Sequence, residues 1–187
     1  MDWDMQEEIN LSGSLLVAHP SLLDPNFRKS VILVSLDSGE EGTVGVLINR
    51  PLQTTLGEFN PEFAFGALKD VPLYAGGPVA TDQMILVAWH WSSASDALKL
   101  YFGISYEKAQ SLLMDEPTLQ IRGFLGYAGW GREQLAAEQV QNAWMVMPIE
   151  RQTIESEQTD KLWYDLVVKT NPELKLLADA PDDPSVN

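Results

Sequence analysis

The chain has 187 residues, 45% hydrophobic and 21% charged, which is enough apolar material for one globular domain with a sizeable core. Twelve Lys and Arg against 27 Asp and Glu leave a formal charge of −15, which disfavours direct nucleic-acid binding and binding to an anionic membrane, since both draw on clustered cations. The absence of cysteine excludes disulfides, thiol nucleophiles and thiolate metal sites, and no apolar run approaches the roughly 20 residues that span a bilayer.

Residues 1–12 read as a polar lead-in, and the start MDWDMQEEINLSG has no basic n-region, so a cytoplasmic protein is expected. Leu15 to Ala18 reads as a short buried strand ending at His19-Pro20. Asp24-Pro25 signals a turn, from which Phe27 packs inward while Arg28 and Ser30 project. Val31 to Leu36 and Thr43 to Asn49 predict an antiparallel hairpin across the polar DSGEEG turn. Gly45 inside the second strand marks a bulge or a close backbone approach.

Asn49-Arg50-Pro51 ends that strand, and Thr55 predicts the cap of a short helix to Phe59. Val71 to Ala75 predicts a strand running into the turn Gly76-Gly77-Pro78. Met84 to Trp91 and Leu98 to Ile104 are two more strands, and Ser105 caps a helix that runs to Met114.

The segment Gly123 to Trp144 is unusual, with Gly123, Gly126, Gly129 and Gly131 crowded beside Tyr127 and Trp130. Alternation over Leu119 to Leu125 predicts a strand, the glycines a sharp turn, and the residues from Gly131 or Arg132 a helix. On that helix Ala136, Ala137, Val140, Ala143 and Trp144 share the expected core face. Gln134, Glu138 and Asn142 form a polar ridge opposite, with Leu135 beside it. A glycine turn before a helix can cradle an anion, but this spacing matches neither the dinucleotide fingerprint nor the Walker loop. The alternative is a tight turn on which the aromatics pack.

Trp144 to Met147 predicts a strand, Asp160 to Lys169 a helix with Leu162, Trp163, Leu166 and Val167 inward, and Leu174 to Ala178 a further helical turn. Residues 1–178 therefore read as a single domain and 179–187 as an acidic disordered tail. Strands and helices mix without regular βαβ alternation, which favours an α+β fold.

The chemistry-bearing residues are few. Only His19 and His90 could serve as a catalytic base, there is no nucleophile elbow, and no spacing suits a metal or a cofactor. No catalytic residue, metal or cofactor is therefore assigned. A candidate ligand-binding set gathers at strand ends: Asp24, Phe27 and Arg28; Asn49 and Arg50; Gly76 and Gly77; Tyr127, Trp130, Gln134 and Glu138. Arg28 and Arg50 are the cations that could hold a carboxylate or phosphate, the alternative being that each pairs with an acidic neighbour.

SLLVAHPSLLDPNFRKSVILV at 14–34, GTVGVLINRPL at 42–52, GGPV at 76–79, GYAGWGREQLAAEQVQNAW at 126–144 and Trp163 together resemble the bacterial YqgE/AlgH family over nearly the whole chain. The resemblance implies an α+β fold with a small closed β-barrel, a branching sheet and surrounding helices. It also implies the family's label of transcriptional regulator, without agreed catalytic residues, cofactor or DNA-recognition helix. The chain departs from the family pattern at Ser35-Leu36-Asp37 and at Ala88, where the family carries histidines, and at Ala136 and Ala137, where it carries acids. The resulting expectation is a non-catalytic, cytoplasmic regulatory protein that binds a small anion or a protein partner. The alternatives are a regulator binding DNA directly, or a hydrolase or transferase using His19 or His90.

Overall fold

Apolar residues that alternate or run unbroken set the order of the chain in the computed structural model, which describes residues 11–37, 42–92 and 94–182. The first hairpin joins β2 (Val31–Asp37) to β3 (Thr43–Leu47), after β1 (Ser14–Ala18), and is followed by β4 (Pro51–Thr55) and α1 (Leu56–Phe59). Next come β5 (Pro72–Ala75), β6 (Val79–Ser92), β7 (Ala97–Ile104), α2 (Tyr106–Asp115) and β8 (Gln120–Trp130). The chain continues through α3 (Arg132–Val140), β9 (Trp144–Pro148), α4 (Arg151–Ile154), α5 (Thr159–Thr170) and α6 (Lys175–Ala178).

Local chemistry explains several boundaries. Thr55 and Glu58 form a reciprocal capping box at α1, and the Ser105 hydroxyl accepts from the Lys108 amide at α2. On α5, Leu162, Trp163, Leu166 and Val167 are buried as the helical period requires.

The nine strands form one branching sheet in the order β4-β5-β8-β3-β2-β1-β9, with β6 pairing β8 and β7 pairing β6. The branch is at β8. Its first half lies between β5, which runs parallel to it, and β6, and its last residues pair with β3. One core cluster packs β1, β2 and β3 against Trp130, Trp144 and α5. A smaller one gathers Leu56, Leu68, Leu73 and Ile121 beneath α1 and α2.

Four expectations change. The sheet is not closed into a barrel, for its hydrogen-bonded path ends at β4 and β9. At the β4 end, a proline start and the left-handed Gln53 (φ 57°) leave pairing to β5 only at Pro51 and Thr55. The glycine-rich segment is not a turn, because β8 continues through Gly126 and Gly129 to Trp130 before Gly131 caps α3. Strand β6 begins at Val79 rather than Met84, with an irregular register between those two residues.

The face of α3 is the fourth correction. Leu135 is 4% exposed and faces the core, whereas Ala136 and Ala137 are exposed and Val140 is 83% exposed. The inward side also carries Glu138, because buried indoles satisfy its carboxylate, as described below. The lead-in over 1–10, most of the DSGEEG turn and the end of the tail at 183–187 lie outside the described residues.

Candidate functional site

The connection between β1 and β2 is a folded corner. Asp24 organises it: its carboxylate accepts from the Asn26 amide at 2.8 Å, and its carbonyl accepts from the Phe27 and Arg28 amides. Phe27 then turns inward, its ring stacked on Trp130 at 5.9 Å and edge-on to Trp144 at 5.8 Å. Lys29 takes a left-handed backbone (φ 55°), which re-aims the chain into β2.

Asn49 closes the corner from the far end of the hairpin. Its side-chain amide donates to the Lys29 carbonyl at 2.9 Å, and its Oδ1 accepts from the Val31 amide at 2.9 Å. The next residue is thereby set beside Arg28, and Arg50 Nη2 donates to the Arg28 carbonyl at 3.2 Å. Burial first, and the Arg28 charge second, hold the Arg50 guanidinium below its usual value. It stays charged at neutral pH all the same. Arg50 forms no ion pair among the described residues, whereas Lys29 Nζ meets Asp182 at 2.8 Å and Arg28 Nη1 lies 4.0 Å from the same carboxylate.

The other predicted site residues divide in two. The glycine bends do meet: the Gly76 amide donates to the Leu125 carbonyl, the Gly76 carbonyl accepts from Leu47, and the Ala75 amide donates to the Arg50 carbonyl. They meet backbone on backbone. A Cβ on Gly76 would strike the Gly126 carbonyl oxygen, and one on Gly77 would strike the Tyr127 carbonyl, so no guest fits between these bends.

Trp130, Gln134 and Glu138 form a lock. Glu138 Oε2 accepts the indole N–H of Trp130 at 2.9 Å and that of Trp144 at 2.7 Å, while Oε1 accepts from Gln134 at 2.9 Å. The lock ties α3 to β8 and β9.

A second feature shares the β1–β2 connection. A hollow of about 420 Å³ is lined by His19, Ser21, Gln141, Asn142, Trp144, Met145, Asn171 and Leu174. His19 Nδ1 lies 2.7 Å from the Ser21 hydroxyl and accepts from the Ser21 amide at 3.2 Å. His90 lies elsewhere, on β6, with Nδ1 3.9 Å from Glu116 and its ring parallel to Tyr101.

Of the predicted set, Asp24, Phe27, Arg28, Asn49 and Arg50 therefore belong to one corner, with Arg28 and Arg50 offering charge at its rim. Gly76, Gly77 and Tyr127 pack behind it, and Trp130, Gln134 and Glu138 fasten α3. Lys29, Trp163 and Asp182 were not among the predicted residues. Lys29 Nζ sits 5.6 Å from the centre of the Trp163 ring, a contact across 134 positions that no local pattern could reveal.

A profile of the AlgH-like family matches residues 15–175. The chain belongs to the AlgH-like family. A UPF0301 protein of Streptomyces avermitilis is 37% identical over 191 residues, covering 98% of both chains. One from Thermobifida fusca is 34% identical, covering 97% of this chain and 98% of its own. The solution structure of the AlgH protein from Pseudomonas aeruginosa superposes with a TM-score of 0.64 at 26% identity, over 97% of this chain and 98% of that one. A crystal structure from Corynebacterium diphtheriae, 24% identical over 91% and 92% of the two chains, has the same fold at a TM-score of 0.68. The AlgH-like fold is thus shared over almost the full length. No helix among the described residues is long and apolar enough to cross a membrane.

Proposed function

We propose that this AlgH-like chain is a non-catalytic binding protein with a regulatory role, and that its Arg28–Arg50 corner holds an anionic oxygen group of a small molecule or protein partner. The carrying observation is the placing of a half-buried guanidinium, Arg50, against a second one without an ion pair of its own among the described residues. Two like charges held together disfavour each other, and an oxyanion between them would relieve that cost. A chain with 27 acids and only 12 bases could have neutralised Arg50 from within. Asp24, Asn49 and the left-handed Lys29 fix the corner through backbone contacts and leave the guanidinium ends at its rim.

The test is a titration with inorganic phosphate followed by amide chemical shifts. Perturbations concentrated at residues 28–30, 49 and 50, and lost in Arg50→Ala, support the site. Shifts confined to other surfaces, or unchanged in that variant, contradict it.

A second reading rests on the His19–Ser21 pair, whose 2.7 Å separation beside a hollow is the geometry of a base and a hydroxyl nucleophile. Ester hydrolysis that disappears in both His19→Ala and Ser21→Ala would favour this hydrolase reading. Turnover that survives both replacements would reject it.

A further inference from the structure

The C-terminal segment returns to the cationic corner. Trp163 on α5 donates its indole N–H to the Ala18 carbonyl at 2.8 Å, and its ring lies under the Lys29 ammonium. Asp179, just past α6, faces Tyr164 of α5 and raises its phenol above the usual value. These contacts direct the chain so that Asp182 meets Lys29 at 2.8 Å, with Arg28 4.0 Å from the same oxygen. Arg50 in turn is bonded to the Arg28 carbonyl. One carboxylate, supplied by the chain itself, thus stands at two cations, Lys29 and Arg28, and the second of these carries Arg50 on its backbone carbonyl.

We propose that the anion corner has a resident occupant, the Asp182 carboxylate held by Lys29 and Arg28 beside Arg50, so that the C-terminal segment competes with an external anion for it. This rests on the binding role proposed above for Arg28 and Arg50. The Asp182 side chain is about half exposed, and so are those of its two partners, which makes the contact a reversible surface pair rather than a buried clasp. A pair of that kind holds its partner roughly one to five times as often bound as free. The free fraction sets the apparent affinity of any competitor, so removing the occupant tightens an external anion about two- to sixfold. Both ligand and occupant are read by charge, so the competition weakens as ionic strength rises.

The experiment titrates inorganic phosphate into the full chain and its Asp182→Asn, Asp182→Glu and Arg50→Ala variants. Asp182→Asn is expected to bind about two- to sixfold more tightly than the wild type. Asp182→Glu, which keeps the charge, is expected to match the wild type, and Asp165→Asn, which removes one acid from the exposed face of α5, to leave the affinity unchanged. Equal affinity in wild type and Asp182→Asn, with Arg50→Ala weakening binding, overturns the competition and leaves the oxyanion corner standing. Equal tightening by Asp182→Asn and Asp182→Glu also overturns it, because a charge-keeping occupant would still compete. If Arg50→Ala changes nothing, or phosphate binds none of the variants, the corner itself is lost and the competition with it.

Discussion

Trp144 gives its indole N–H to Glu138 at 2.7 Å, and that bond fastens the start of β9 to the middle of α3. The same carboxylate oxygen also accepts from Trp130, at the end of β8, so one acid joins three consecutive elements. Replacing Glu138 by Ala would leave two buried indole donors without a partner. Each such loss is substantial, and bonds to a charged acceptor are the stronger kind, so Glu138→Ala is expected to cost about 2–4 kcal/mol. Glu138→Gln, which keeps an acceptor but not the charge, is expected to cost about 1–2 kcal/mol. Urea unfolding followed by tryptophan fluorescence measures both.

Gly126 combines a left-handed backbone (φ 75°) with the carbonyl oxygens of Gly77 and Val79 close to where a Cβ would sit. Neither atom belongs to a flexible side chain, so nothing can yield cheaply. Gly126→Ala is expected to lose more than about 3 kcal/mol or to fail to accumulate as folded protein. Gly131, which has open space around its Cβ position and φ −66° at the α3 cap, provides the contrast. Gly131→Ala is expected to cost under about 1 kcal/mol in the same unfolding experiment.

Arg122 is a buried guanidinium held between the rings of Tyr74, at 4.9 Å, and Trp89, at 5.2 Å. Burial holds it below its usual value, while the Tyr74 and Glu155 charges act the other way. A lysine would bring the charge without the flat surface that both rings stack on. Arg122→Lys is therefore expected to destabilise by about 1–3 kcal/mol, read from the midpoint shift in urea.

The hydrogen bond and charge of Lys29, and then the Arg28 charge, hold the Asp182 carboxyl below the ordinary aspartate range. A depressed folded value means that the contact is complete above the ordinary aspartate range and disappears as pH falls through the depressed one. Carboxyl carbon shifts should show Asp182 titrating below the ordinary aspartate range, and Lys29→Gln should return it toward that range.

Much of the scaffold could be read from local pattern. The VILVSL and TVGVLIN runs pair as the expected antiparallel hairpin, and Gly45 lies beside a register shift at a place where a Cβ would come within 2.7 Å of the Leu33 carbonyl oxygen. Thr55 with Glu58, Ser105, and the inward face of α5 carry their own signals. The glycine-rich segment does not, because Gly126 serves an approach by residues 76–77, some fifty positions earlier, rather than a local turn. The face of α3 misleads for a related reason. Periodicity sorts alanine and valine inward and glutamate outward, but two indole donors from neighbouring strands make Glu138 the better inward residue. At the site, Arg28 and Arg50 were visible as cations at strand ends, and their contact depends on Asn49, which binds both ends of the Lys29–Val31 turn.

The most direct measurement is isothermal titration of inorganic phosphate into the wild-type chain and Arg50→Ala, at low and at physiological salt. Saturable binding that weakens at least about tenfold in Arg50→Ala, and that falls as salt rises, is the expected result for a charge-assisted contact. Binding of equal strength in both proteins would contradict an oxyanion site at the Arg28–Arg50 corner.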